Sequence, residues 1–471
     1  MEIRPPAIAP PGIRRPGTRP PEIRPPDSVL AILGRLWSAG HAGYVVGGSL
    51  RDVLMGREPH DWDMATDARP DRLLELFPGA VYENRFGTVA IREGGELHEV
   101  TTFRTDHEYA DFRRPHRIEF GDRIELDLAR RDFTINALAW GADATRHRGE
   151  PAAPGLVDPY GGTDDVEARI IRAVGDPRAR FEEDALRMVR AVRLAATLGV
   201  EIETGTLGAI EARAKLVAHL SGERLAAELD KLLGADRPSI GLRLMASTGI
   251  LAVLSPELAA QRGLPQNKIP GDDLWAHTVR TVDAVAIDRP VVRLAALLHD
   301  IGKPATMADG HFLHHDAVGA ELAAKLLDRL RSPRPVAERV VHLVRHHMFT
   351  YDPTWGDAGV RRFIRRIGRD ALESLFALRE ADNVGSGQAP GGNELDELRR
   401  RVREQLEGDV VLERSDLAID GNDLIAELGL AEGPTLGRVL GELLERAIAD
   451  PSINDRPTLL LLAQAMLTED R

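Results

Sequence analysis

The 471-residue chain has no cysteine. That excludes disulfides and thiolate metal sites, so any metal must be held by His, Asp or Glu. It also lacks any apolar run approaching the ~18 residues of a membrane span. Its N-terminus has no charged-then-apolar signal pattern, and a cytoplasmic protein without a membrane partner is expected. Positive charge is in deficit, since 61 basic against 74 acidic residues leave a net charge of −13. Nucleic-acid binders are often basic overall, so bulk charge argues mildly against that class and local placement must decide. One stretch, RRFIRRIGR (361–369), carries five arginines and no acid. The length allows about three or four domains with ample buried cores.

What is present centres on residues 44–66, YVVGGSLRDVLMGREPHDWDMAT. The apolar run Tyr44 to Val46 reads as a short buried strand, ended by Gly47-Gly48. Two glycines let backbone N–H groups approach a ligand closely. Ser49 can cap a helix whose N-terminus favours phosphate, and Arg51 can add a bidentate charge. Asp61 and Asp63 follow with one residue between them. On a strand they point to one face, and two converging carboxylates repel unless a cation sits between them. Hard oxygens of this kind suit Mg²⁺.

In this order the motifs resemble the signature of the DNA polymerase β-like nucleotidyltransferases. More closely, the chain is similar to the bacterial and eukaryotic class of tRNA nucleotidyltransferases, the CCA-adding enzymes, and to their poly(A) polymerase relatives. Residues 70–77 read as a helix, followed by strand-like runs at 87–92 and 97–103. Within the second, Glu99 matches the family's third carboxylate, and three carboxylates suit two-metal phosphoryl transfer. Residues 104–117, RTDHEYADFRRPHR, read as a loop too polar to pack. They resemble the flexible loop implied to help the switch from C to A. RRDFTINALAW (130–140) matches the next motif. The resemblance implies that Arg131 and Asp132 face the nucleotide sugar and triphosphate, with 133–138 as a core strand. Residues 141–154 read as an inserted loop.

RFEEDALRMVRAVRLAATLG (180–199) reads as one long helix ended by Gly199. Helical arithmetic puts Asp184, Arg187 and Arg190 on one flank. Arg193 falls opposite Asp184 and is the outlying member of the set. A charged outer face with i,i+3 ion pairs would give the same spacing. A functional reading also follows from chemistry: a carboxylate only accepts hydrogen bonds and a guanidinium only donates. Cytosine and adenine both present an amino donor beside a ring-nitrogen acceptor, so Asp184 and Arg187 side by side would satisfy either. Guanine and uracil would leave both partners unpaired. The family motif EDxxRxxR is present as Glu183, Asp184, Arg187 and Arg190.

A second constellation begins at His277 and continues through His299-Asp300, His315, His346 and Asp382, on successive helical patterns. An isolated histidine on an apolar helix is commonly a core residue. The full set, with HD before Gly-Lys, resembles the HD phosphohydrolases, whose His and Asp side chains hold one or two divalent metals. The metal could be Mn, Ni, Fe or Mg.

The expected fold class is α+β: a small mixed-sheet polymerase-β-like nucleotidyltransferase head, an all-α neck, an HD domain and a helical tail. The expected boundaries are a disordered Pro/Arg-rich tail at 1–27, the head at 28–175 and the neck at 176–263. The HD domain follows at 264–390 and a helical, tRNA-binding tail at 391–471. The resemblance implies addition of CCA to the 3′ end of tRNA from CTP and ATP. Gly47, Gly48 and Arg51 would hold the triphosphate, Asp61 and Asp63 would bind Mg²⁺, and Glu99 would help activate the 3′-hydroxyl. Arg131, Asp132, Asp184, Arg187, Arg190 and Arg193 would complete the nucleotide site. Two alternatives share the head: a poly(A) polymerase, and an enzyme adding only CC or only A. From another class, the chain could be an HD metal phosphohydrolase with an RNA-binding head.

Overall fold

The structure, a computed structural model, describes residues 22–84, 87–110, 114–144, 153–266, 268–408 and 410–469. Nearly all of the Pro/Arg-rich tail, and 145–152 of the expected insertion, lie outside them. The chain divides into two compact units, Met1–Pro256 and Glu257–Arg471. No helix among the described residues is long and apolar enough to cross a membrane.

The first unit opens with helix α1 (Asp27–Ser38), preceded by Pro26 at its cap position. In chain order follow β1 (Ala42–Val46), α2 (Gly48–Leu54), β2 (Met64–Thr66), α3 (Pro70–Leu76), β3 (Val81–Asn84), β4 (Thr88–Glu93) and β5 (Glu96–Thr102). Next come β6 (Arg104–Ala110), β7 (Arg114–Phe120), α4 (Ile124–Ala129), β8 (Ala139–Asp143) and β9 (Gly155–Val157). The seven-stranded sheet runs β3-β4-β5-β2-β1-β8-β9. It is mixed because β2 and β5 pair in parallel while the other pairs are antiparallel. Both faces are covered, as the period-2 alternation of β1 requires. Val45 packs with Ile32, Leu33 and Leu36 of α1. Ala42, Tyr44 and Val46 pack with Phe103, Ile124 and Leu128 on the other side.

Two expectations about strands differ in this unit. Residues 104–110 and 114–117 are not a loop: β6 and β7 form an antiparallel ribbon, with Arg104 opposite Phe120. Low apolar content excludes a buried strand, but not a two-stranded ribbon whose ladder is satisfied by its own partner. Residues 133–138 are not a strand but hold a 3₁₀ turn, Thr134–Asn136, and the strand starts later at Ala139.

The head closes with α5 (Gly162–Ala168) and β10 (Ile170–Ile171); the neck brings α6 (Pro177–Glu183), α7 (Leu186–Leu198) and β11 (Glu201–Ile202), which pairs in parallel with β10. The expected single helix over 180–199 is therefore two. Asp184 sits between them with extended backbone, φ −145° and ψ 105°. Its carboxylate accepts from Leu186 N at 3.0 Å. A short acidic side chain competes with helical backbone pairing in this way, capping a new helix instead of continuing the old one. Helices α8 (Thr204–Arg213) and α9 (Gly222–Leu233) follow.

The second unit is almost wholly helical among its described residues. Helices Leu274–Ala284, Pro290–Leu298, His315–Arg329, Arg334–His346 and Leu372–Gly385 pack together. Towards the C-terminus, Val439, Leu443 and Leu444 join Leu459 and Ala463 in a separate core. The arginine-rich stretch is largely consumed here. Arg361 is buried and donates to Ile448 O at 2.6 Å and Ala449 O at 3.0 Å, the end of helix Pro434–Ala449. Arg362 and Arg365 both reach Glu445, and Arg366 lies over the Phe363 ring. A guanidinium on C-terminal carbonyls is favourable packing.

Candidate active site and candidate metal centre

In the head, Gly47 adopts φ 79°, a conformation that favours glycine. A Cβ there would stand 2.7 Å from Arg131 Nη1. The turn is thus bare so that a guanidinium can lie against it. Gly47 itself occupies the cap position of α2, and Ser49 is buried instead of capping. Arg51 donates to Asp52 Oδ1 at 2.9 Å and to Asn136 Oδ1 at 2.7 Å. Arg130 and Arg131 converge on Asp127, which is 1% exposed. Burial pushes the Asp127 carboxyl up, but the two guanidinium groups outweigh it and hold the group below the usual carboxylate range.

Asp61 and Asp63 lie on the extended approach to β2, which itself starts at Met64. Asp63 O accepts from Val46 N at 2.9 Å, prolonging the pairing with β1. In β2 and β5, Met64 stands opposite Val100, and both join the core beside α1. One residue earlier on each strand come Asp63 and Glu99, which alternation turns to the opposite face. Burial, then Asp61, pushes the Asp63 carboxyl up, with Arg131 opposing. Glu99 is also pushed up, by burial first and then by Asp63, Glu83 and Asp61. Asp63 and Glu99, both raised beside Asp61, form an all-oxygen set whose chemistry fits Mg²⁺.

The neck arginines are engaged one by one. Arg187 donates to Glu183 Oε2 at 2.6 Å, Arg130 O at 2.8 Å and Arg180 O at 3.1 Å. Asp184 takes Arg224 Nη2 at 2.7 Å. Asp184 and Arg187 are therefore held by different partners, and the helical arithmetic that grouped them does not carry across the break at Asp184. Arg190 pairs with buried Asp132 at 3.1 Å. Burial would raise Asp132, yet Arg190, Asn136 and Arg187 bring it below its ordinary value. Arg193 turns to Glu228 of α9 at 2.6 Å and so ties two neck helices together. Arg193 also lies within electrostatic reach of Arg190 and Asp132.

In the second unit, His277, His299 and Asp300 form one buried cluster that could hold a metal ion. A second cluster joins Asp300 to His315 and His347. Asp382 stands 3.2 Å from His277 Nε2. His299, His315 and His347 each place Nδ1 at 2.7 Å from a backbone carbonyl, those of Ala296, Phe312 and Val344. A carbonyl only accepts, so Nδ1 carries the proton and each Nε2 offers its lone pair to the cluster. Nε2 of His315 and His347 has no hydrogen-bond partner. Burial raises Asp300, but His299, Lys303 and His277 hold it well below the usual range. Its two oxygens face different histidines: Oδ2 lies 3.1 Å from His299, whereas Oδ1 lies 3.5 Å from His315 and 3.6 Å from His347. The donor set fits divalent transition metals.

His346 is a correction. It meets His342 edge to face and is pushed down to about 4 by burial and by that neighbour. His347 continues the buried stripe Val340, Leu343, Val344, whereas His346 is one residue off it. That periodicity was available in the sequence. Sequence reasoning also missed Lys303, which donates to Asp300 Oδ2 at 2.6 Å, and Gln266, whose Nε2 lies 3.4 Å from the same oxygen. The GK that follows the HD pair was the signal for the first. No local signal marked the second.

Three family models match: "Poly A polymerase head domain" over residues 43–172, "Probable RNA and SrmB- binding site of polymerase A" over 199–262, and "HD domain" over 273–387. The chain is 32% identical over 428 residues to a CCA-adding enzyme of Geobacillus sp. (strain WCH70), covering 90% of this chain and 93% of that one. It is also 32% identical to the CCA-adding enzyme of Levilactobacillus brevis, covering 91% and 95%. Among solved structures, the Bacillus stearothermophilus CCA-adding enzyme in complex with CTP superposes with TM-score 0.70 at 29% identity, covering 95% and 99%. The Thermotoga maritima CCA-adding enzyme complexed with tRNA shares the fold, with TM-score 0.54 at 20% identity and coverage of 94% and 97%.

Proposed function

Since the chain belongs to the family of CCA-adding enzymes, we propose that it adds C, C and A to tRNA 3′ ends from CTP and ATP, without a nucleic-acid template and in the cytoplasm. The observation that carries this reading is the meeting of Asp63 and Glu99 beside Arg131, at the sheet end where the Gly47 turn and Arg51 also lie. Mg²⁺ held by Asp61 and Asp63 would supply activation of the attacking 3′-hydroxyl and neutralise charge on the departing pyrophosphate.

The remaining work falls to the chain itself. Gly47, Gly48 and Arg51 receive the triphosphate, and Arg131 and Asp132 orient the phosphates and sugar. Glu99, with its raised affinity for protons, is suited to take the hydroxyl proton. Asp184 accepts from the amino group of C or A, and Arg187 donates to the ring nitrogen. Glu183 and Arg224 hold that pair from either side. Arg190 steadies Asp132, and Arg193 keeps α7 against α9. The domains follow the boundaries 28–175, 176–263, 264–390 and 391–471, with the last segment set against tRNA.

One observation favours a second activity in the same chain. Three histidines with their proton fixed on Nδ1 surround Asp300, as ligands of a divalent metal would. We assign to this centre Mn, Ni, Fe or Mg and the hydrolysis of phosphate esters. The primary test is to incubate tRNA lacking its 3′ CCA with CTP and ATP, together and separately, and to sequence the 3′ ends. Stepwise CC and then CCA is expected; a homopolymeric A tail or no extension would refute the reading.

A further inference from the structure

The 3₁₀ turn between the Arg131-Asp132 pair and β8 ends in Asn136, which is 6% exposed. Its Oδ1 accepts from Arg51 Nη1 at 2.7 Å, and its Nδ2 donates to Asp132 Oδ1 at 3.1 Å. Its backbone oxygen accepts from Arg131 Nη1 at 3.3 Å. Three side chains of the proposed nucleotide site therefore meet on one residue. The line continues at both ends, because Arg51 also holds Asp52 and Asp132 also faces Arg190. Read from α2 to α7, it runs anion, cation, amide, anion, cation.

A carboxamide is the side chain that can accept from a cation and donate to an anion at the same time. The polarity of its neighbours fixes its orientation: a flipped amide would set NH₂ against the guanidinium and oxygen against the carboxylate. The turn itself is pinned. Thr134 Oγ1 donates to Asp165 Oδ2 at 2.6 Å, and a Cβ on Gly162 would stand 2.2 Å from Thr134 O. Asn136 thus cannot drift with its partners.

We propose that Asn136 is a positioning residue of nucleotide transfer, a neutral spacer that holds Arg51 towards the triphosphate and Asp132 towards the sugar while preventing the two from collapsing into a direct ion pair. This rests on the assignment of Arg51 and Asp132 to the nucleotide. Replacing the amide should therefore damage use of CTP and ATP and leave engagement of tRNA alone.

Two variants of similar volume separate the contacts. Asn136→Asp keeps an acceptor for Arg51 but sets a carboxylate against Asp132; Asn136→Leu removes both contacts. The measurement is kcat and KM for CTP, and KM for tRNA, from pH 6.5 to 8.5, with melting temperatures. Both variants should lose about ten- to a hundredfold in kcat/KM for CTP at pH 8.5, the scale of a lost hydrogen bond to a charged group. The loss should fall on CTP, with KM for tRNA unchanged. Wild-type kcat/KM in both variants would overturn the inference, as would parallel losses for CTP and tRNA that track melting temperature. Arg51→Ala and Asp132→Ala run alongside. If these two also behave as wild type, the nucleotide-site reading itself fails; if they lose activity while the Asn136 variants do not, only the spacer role fails.

Discussion

Asp184→Asn is the sharpest probe of how the protein chooses its base. Both carboxylate oxygens are in use, one accepting from Leu186 N at 3.0 Å and the other from Arg224 Nη2 at 2.7 Å. An amide has only one oxygen, so one of these donors must face NH₂. Keeping the oxygen on Leu186 preserves the start of α7 and turns NH₂ towards Arg224 and the incoming base. There it would meet the amino group of C or A, donor against donor, but the carbonyl of U or G, donor against acceptor. A lost hydrogen bond to a charged group is worth about 1.5–3 kcal/mol, so CTP and ATP use should fall roughly tenfold to a hundredfold. UTP and GTP should lose less or gain. Stability should drop by only about 1 kcal/mol, since the Arg224 pair is partly solvated. Arg187→Ala is a poorer probe, because it removes the donor to Arg130 O and Arg180 O and one of the two guanidinium partners of Glu183. The assay is single-nucleotide incorporation with each of the four triphosphates, alongside thermal melting. A lowered melting temperature with an unchanged ratio of CTP to UTP use would reduce Asp184 to a helix cap and refute the base-reading role.

Asp61→Ala or Asp63→Ala should abolish nucleotide addition while leaving the melting temperature close to wild type, since removal of a metal ligand costs several kcal/mol of transition-state stabilisation; near-normal incorporation would sink the carboxylate assignment. The double change His299→Ala with Asp300→Ala should spare CCA addition but remove bound transition metal and any phosphoesterase activity. His347→Ala should lower metal content where His346→Ala does not, and equal metal in all variants by elemental analysis would count against the centre. Asp127→Asn should cost on the order of 3 kcal/mol at neutral pH by removing the buried carboxylate that Arg130 and Arg131 share. The folded-state pKa of Asp127 is depressed, so its stabilisation is present above the unfolded value near 4 and is lost as pH falls through the folded one. Wild-type melting should therefore fall more steeply than that of the variant in acid; parallel curves between about pH 5 and 3 would refute the pairing.

What could be read in the chain before folding was whatever depends on local periodicity. Asp61 and Asp63 stand just before β2, and the parallel register of Met64 with Val100 brings Glu99 within their electrostatic reach. The same logic, applied more strictly, would have chosen His347, because Val340, Leu343 and Val344 define the buried stripe that it continues. Periodicity misled at Asp184, where a short carboxylate restarts the helix and voids any angle carried across it. It was silent about Asn136 and Arg224. Their partners lie 85 and 40 residues away in sequence, and only the packed fold supplies them. The arginine run at 361–369 shows the converse. Charge counted along a sequence takes no account of which guanidinium groups a helix end or an acid has already claimed, and Arg361, Arg362 and Arg365 are claimed. Affinity for an anionic partner therefore has to be sought in the cations that the fold leaves near its acids. In the head and neck these are Arg51, Arg131 and Arg190, each set against a carboxylate with which the phosphates of a bound nucleotide would compete.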